Sequence, residues 1–150
     1  VDFAAVTSPL TIQKPLHKTH LASYREILIG GTKYKELASQ IRSLNDLSGI
    51  PVIGLADGTG TRELYHRYFL SHGLMFAPDM EAATTDQILP MITHNLGIGF
   101  YPEELAAEAI ARGSAYAIRL VEPIPEREIC LVTNSSTQMS AAVRKVISFL

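Results

Sequence analysis

The stretch Thr84-Thr85-Asp86-Gln87-Ile88-Leu89-Pro90-Met91-Ile92-Thr93-His94-Asn95-Leu96-Gly97-Ile98-Gly99-Phe100-Tyr101-Pro102-Glu103-Glu104-Leu105 decides how the chain folds. Thr84 to Gln87 reads as a capping box, with Thr84 at the N-cap and Gln87 three residues on. The helix it opens carries Ile88, Met91, Ile92 and Asn95 and stops at Gly97. Pro90 falls near its first turn, where proline is tolerated better. Leu96 to Tyr101 is then a continuous apolar run of strand length, ended by Pro102. A second helix follows from Glu103 to Arg112. It is Ala-rich, acidic at its start, basic at its end and stopped by Gly113, as the helix dipole favours.

The same alternation extends in both directions. Phe3-Ala4-Ala5-Val6, Glu26-Ile27-Leu28-Ile29, Pro51-Val52-Ile53-Gly54-Leu55, Tyr116 to Val121 and Ile129 to Thr133 are short apolar runs flanked by turn residues. Such runs read as strands buried on both faces. Arg62 to His72 carries Leu64, Tyr65, Tyr68 and Phe69 at helical spacing and stops at Gly73. Thr137 to Leu150 carries Met139, Val143, Val146, Ile147 and Leu150 as one apolar stripe. Strands alternating with helices predict an α/β fold of βαβ units with mostly parallel sheets. Tyr24 to Gly31 and Leu120 to Arg127 look like links between subdomains. Two crossings so far apart in sequence fit a two-lobed fold whose second lobe is inserted into the first.

Composition bounds the function. The chain has 150 residues, of which 47% are hydrophobic and 19% charged, and this is enough to bury a core without disulfides or metals. Its 13 basic and 15 acidic residues leave a formal charge of −2, a poor basis for gripping nucleic acid phosphates. One cysteine excludes an intrachain disulfide framework and fits a reducing, cytoplasmic compartment. No apolar run approaches a membrane span, and Val1 to Val6 has no basic lead-in of a signal peptide. The abrupt apolar start suggests a cut made within a longer chain.

Catalytic and metal chemistry finds little footing. His17, His20, His66 and His72 lack the His pair with glutamate of a zinc hydrolase and read as solvated. Cys130 sits within an apolar run and reads as a small buried hydrophobe. No serine stands in a glycine-flanked nucleophile elbow. Glu103, Glu104 and Glu108 read as a solvated helix face. We therefore expect no catalytic residue, no metal and no cofactor.

Asp57-Gly58-Thr59-Gly60-Thr61-Arg62 is the most informative local signal. It follows a buried strand and opens a helix, whose free N–H groups, two hydroxyls and positive dipole end suit an anion or carboxylate. It is neither a P-loop nor a dinucleotide fingerprint. A tight turn capped by Thr59 or Thr61 explains it equally well. In open α/β sheets ligands bind beyond the carboxyl ends of strands. Thr7 and Ser8, the Gly58–Thr61 loop and Thr133 with Asn134 meet that rule, and one cleft lined by all three is expected. Hydroxyls and amides bind polar small molecules rather than transform them.

Ile88-Leu89-Pro90-Met91 with Leu96 to Leu105 resembles the most characteristic stretch of the LysR-type transcriptional regulators, in their effector-binding domain. Leu44-Asn45-Asp46-Leu47 with Pro51-Val52-Ile53 is similar to another. Gly60-Thr61-Arg62, Phe69, His72, Gly73, Glu81 and Ile124 to Thr133 follow in the family's order. The resemblance covers essentially the whole chain. It implies a periplasmic-binding-protein-like fold with the effector held between two lobes. Lobe I would be about 1–26 and 123–150, and lobe II about 27–122. It implies effector contacts from Thr7, Ser8, the loop Ala56, Asp57, Gly58, Thr59, Gly60 and Thr61, then Glu81 and Thr133. For Arg62 and Glu81 a structural ion pair fits equally well.

The family's helix-turn-helix and linker helix are not in this sequence, nor is the opening strand–helix–strand of lobe I, whose helix supplies major ligand contacts in the family. The first lobe is therefore expected to be incomplete. Phe3 to Val6 would then present a bare apolar edge through which the piece associates. The resemblance implies sensing of a small-molecule effector, such as an organic acid or amino-acid-like metabolite. It also implies a homo-oligomer, with DNA contacted only through the absent N-terminal domain and no membrane partner. The rival expectations are an extracytoplasmic solute-binding receptor of the same fold and a small α/β enzyme acting on an anionic metabolite.

Overall fold

Leu28 and Ile29 are neighbours on one strand, and each is wholly buried in a different core. Successive strand residues point to opposite faces, so this strand belongs to a sheet covered on both sides. The structure, a computed structural model, describes residues 3–7 and 16–134. Its strands are β1 (Phe3–Thr7), β2 (Leu16–Tyr24), β3 (Glu26–Gly30), β4 (Val52–Leu55), β5 (Met80–Ala82), β6 (Ile98–Pro102), β7 (Tyr116–Ile118) and β8 (Arg127–Asn134). The α-helices among the described residues are α1 (Gly60–Ser71), α2 (Thr85–Thr93) and α3 (Glu103–Ala111). The expected helix from Thr137 to Leu150 lies outside the described residues. The chain divides into two compact units, residues 1–24 with 126–150 and residues 25–125.

In the larger unit five strands run in the order β5-β4-β6-β3-β7. One face packs Leu28, Ile98 and Phe100 against Tyr65, Tyr68 and Phe69 of α1. The opposite face packs Ile29, Ile53, Leu55 and Tyr101 against Ile88 and Ile92 of α2 and Ala106 and Ala109 of α3. Tyr65 stacks on Phe100 with ring centroids 4.3 Å apart. Each aliphatic side chain so buried contributes about 1.5–3 kcal/mol. Gly54 keeps the α1 side of β4 clear. A Cβ there would lie 2.7 Å from Pro78 Cγ and 3.3 Å from Phe76 Cζ.

The sheets are mixed, not mostly parallel as the alternation predicts. β4 runs parallel to β5 and β6, but β3 is antiparallel to both β6 and β7. In the smaller unit β1 and β2 both pair antiparallel with β8, which lies between them. β1 is thus an edge strand among the described residues. β2 escapes the sequence patterns because His17, Lys18, Thr19 and His20 break any apolar run. Among the described residues it pairs with β8 alone, and it carries an irregularity between His20 and Ala22. Polar edges of this kind resist unwanted pairing.

Helix ends show three further differences. The Thr84 side chain makes no capping bond, while Gln87 Oε1 accepts the Ala83 N–H at 2.9 Å. Pro90 lies past the first turn of α2, at the sixth of its nine residues. Asn95, not Gly97, stops α2. Asn95 has φ 62° and the Leu96 N–H returns to the Met91 carbonyl at 3.1 Å. The same six-to-one bond ends α1 (Leu74 N–H to Phe69 O, 3.0 Å) and α3 (Ser114 N–H to Ala109 O, 2.9 Å).

Candidate functional site

β4 ends at Leu55 in the middle of a parallel trio, and the chain turns at its carboxyl end into α1. The turn is built from its own polar groups. Asp57 Oδ1 accepts the Gly58 N–H at 3.1 Å, and Gly58 takes φ 88°, which favours glycine. Thr59 is the N-cap. Its hydroxyl accepts the Arg62 N–H at 3.1 Å and donates to the Ala56 carbonyl at 2.9 Å. The hydroxyl proton and one of its two lone pairs are therefore committed within the turn. The Gly60 N–H stands at the first helical position, where helices leave donors open.

Arg62 secures the other side of the turn. Its Nη1 donates to the Leu55 carbonyl at 3.0 Å and to Glu81 Oε1 at 3.2 Å, and its guanidinium lies 5.7 Å from the centre of the Phe76 ring. Glu81 lies on β5 in register with Gly54, so the parallel pairing places it beside the end of β4. The Arg62 side chain is 18% exposed and that of Glu81 53%, so the carboxylate remains open to solvent. Arg62 and Glu81 thus form the structural ion pair.

The structure therefore brings Ala56, Asp57, Gly58, Thr59, Gly60, Thr61 and Glu81 together at one end of the larger unit. It does not bring together Thr7 and Thr133. Thr7 is the last residue of β1 and pairs with Ile129, whereas Thr133, near the end of β8, pairs with Phe3. Antiparallel pairing separates them by four residues, roughly 13 Å along the ladder. The shared cleft presumed parallel strands, whose carboxyl ends coincide. Ser8 lies outside the described residues. Cys130 is fully buried, as a small hydrophobe would be. No group of three or more His, Cys, Asp or Glu among the described residues is placed to hold a metal ion.

Sequence patterns miss Glu26. It opens the apolar run of β3, yet it is buried at 6% exposure and accepts a hydrogen bond from the Tyr65 hydroxyl. A carboxylate at the head of a buried strand is the signal that could have found it, because a buried charge demands a partner. Chemically, the turn offers backbone donors, a dipole end and an exposed carboxylate. This set suits recognition of a polar ligand.

The fold is of the periplasmic-binding-protein-like kind. The family model for the LysR substrate binding domain matches residues 1–150, and the chain belongs to that family. A curated relative, the uncharacterized HTH-type transcriptional regulator YeiE of Escherichia coli strain K12, is 24% identical over 142 residues. That alignment covers 92% of this chain and 48% of YeiE, so the chain spans about half the length of the curated relatives it matches. Two similar solved structures are the effector binding domain of QuiR in complex with shikimate and the Synechocystis PCC6803 CcmR regulatory domain in complex with 2-PG. Each has a TM-score of 0.81. Identities are 16% and 17%, covering 99% of this chain and 69% and 71% of those chains. The CrgA regulatory domain of Neisseria meningitidis matches with a TM-score of 0.75 at 17% identity, covering 99% of this chain and 73% of that one. No helix among the described residues is long and apolar enough to cross a membrane.

Proposed function

We propose that the chain is the small-molecule-sensing part of a LysR-type transcription regulator, with the turn Ala56–Thr61 and Glu81 as its effector-contacting element. The observation that carries this is the turn itself. A left-handed Gly58 and the head of α1 sit at the carboxyl end of a parallel strand, with an exposed carboxylate alongside. QuiR and CcmR, which share the fold, hold shikimate and 2-PG. Membership in a regulator family favours this reading over a solute receptor or an enzyme. The chain acts by binding, without catalysis. Self-association is carried by this domain as well, and DNA contact belongs to the whole cytoplasmic protein.

Thr7 and Ser8 remain effector contacts that the family resemblance implies. Thr133 does not, because it stands at the other end of the β1–β8 ladder from Thr7. The test is a thermal-shift screen with shikimate, 2-PG, and sets of hydroxy acids and amino acids. A ligand at a hundred times its dissociation constant should stabilise the chain by about 2.7 kcal/mol. Thr59→Ala with Thr61→Ala should weaken the hit. Unchanged affinity would contradict the assignment of the turn.

A further inference from the structure

A cavity of about 390 Å³ lies in the larger unit at the amino end of β4, away from the turn at its carboxyl end. Leu44, Phe69, Leu74 and Met75 form its apolar wall, and Met75 is 69% exposed at its margin. This volume suits a small molecule, and the exposed lining mixes polar and apolar surface in similar measure. Asp79 is its single charged lining residue. That carboxylate is fixed in place. Asp79 Oδ2 accepts the Val52 N–H at 2.9 Å, and the Asp79 N–H donates to the Val52 carbonyl at 2.8 Å.

The backbone adds to the same polarity. Phe69 and Leu74 belong to the turn that closes the C-terminus of α1, the negative end of its dipole. A carboxylate and a helix C-terminus beside apolar and aromatic side chains favour a cation carried on an apolar body. We infer that this cavity is a second ligand site, distinct from the turn Ala56–Thr61, for a compact amine borne on an aromatic ring.

The ring packs on Phe69, Leu74 and Met75, and the ammonium donates to Asp79. Phe76 is a poor probe because it lines the cavity and also lies under the Arg62 guanidinium. Asp79→Asn is better, since the amide oxygen can still accept the Val52 N–H. Asn45→Lys, at an exposed lining position, places a repelling charge without disturbing the core.

The experiment is an amide-shift titration of the chain with benzylamine, with benzyl alcohol as the neutral analogue. Saturable binding with a dissociation constant on the order of 1 mM is expected. Its largest shifts should fall on Asn45–Gly49 and Leu74–Asp79. Asp79→Asn and Asn45→Lys should each weaken benzylamine about tenfold and leave benzyl alcohol unchanged. Asp57→Asn, in the turn, should change neither. Absence of saturation, shifts confined to Ala56–Thr61, or native affinity in both cavity variants would overturn the proposal.

Discussion

Arg62 Nη1 stands 3.2 Å from Glu81 Oε1, and the same nitrogen reaches the Leu55 carbonyl at 3.0 Å. One guanidinium thereby ties the end of β4 to β5 and holds the turn that leads from β4 into α1. The two bonds differ in worth. A half-exposed ion pair contributes at most about 1 kcal/mol, whereas a hydrogen bond from a charged donor to a carbonyl at the buried end of a strand contributes about 1.5–3 kcal/mol.

Arg62→Met should therefore cost about 1.5–3 kcal/mol and Glu81→Gln less than about 1 kcal/mol, read from urea denaturation midpoints. Equal losses would show that the ion pair, and not the carbonyl bond, secures the turn.

Thr59→Ala should cost about 1 kcal/mol, because it leaves the Arg62 N–H at the head of α1 without its acceptor. Thr59→Ser keeps the hydroxyl and should recover most of the loss. Hydrogen exchange should quicken first at Arg62 and Glu63, and uniform quickening along α1 would contradict a local capping role.

Asn95 combines a left-handed backbone with two side-chain bonds. Its Oδ1 accepts the Lys33 N–H at 3.0 Å and its Nδ2 donates to Thr32 Oγ1 at 3.2 Å. Asn95→Gly relieves the backbone but loses both bonds, so a cost of about 1 kcal/mol is expected. Asn95→Ala loses the bonds and adds left-handed strain, for about 2–3 kcal/mol. Thermal unfolding of the two variants separates the terms, and equal costs would rule out backbone strain.

The Tyr34 hydroxyl is buried without a hydrogen-bond partner among the described residues. Removing an unsatisfied polar group from a core gains back its desolvation penalty. Tyr34→Phe should be neutral or stabilising by about 1 kcal/mol in denaturant titration, whereas a clear loss would reveal a partner for the hydroxyl.

Burial, with Glu122 nearby, pushes the Tyr68 hydroxyl well above the usual tyrosine range, and burial with Asp86 raises Tyr101. The folded chain therefore holds protons that the unfolded chain releases near the ordinary value of about 10. Their stabilising contribution is complete below that pH and is lost as pH climbs from there through the raised folded values. Tyr68 also donates to the Glu122 carbonyl at 2.8 Å, a bond that ionisation removes. Unfolding midpoints should fall above about pH 10, and less steeply in Tyr68→Phe. An unchanged slope in that variant would argue against Tyr68.

The sequence patterns reveal the strands that lie between neighbours and the apolar edge strands β1 and β7. The apolar runs at Leu28, Ile53 and Phe100 are visible because both their faces are buried, and Tyr65 to Phe69 mark α1 through its aromatic stripe. β2 and β5 are hidden because an edge strand need not be apolar and three residues carry no period. Strand direction is hidden too, since β3 has the same apolar signature whether it runs with β6 or against it. That ambiguity misplaced Thr133 relative to Thr7. At the candidate site, spacing locates the turn Ala56–Thr61, but not the commitment of the Thr59 hydroxyl to the cap or the hold of Arg62 on Leu55, both of which depend on three-dimensional distances.

The most direct measurement is amide-shift mapping of the chain with the strongest ligand from the thermal-shift screen. Saturable perturbations centred on Asp57–Thr61 and Glu81, abolished by joint alanine substitution at Thr59 and Thr61, are expected of an effector site at the head of α1. A tight ligand whose perturbations spare that turn, or whose affinity survives the double substitution, would contradict it.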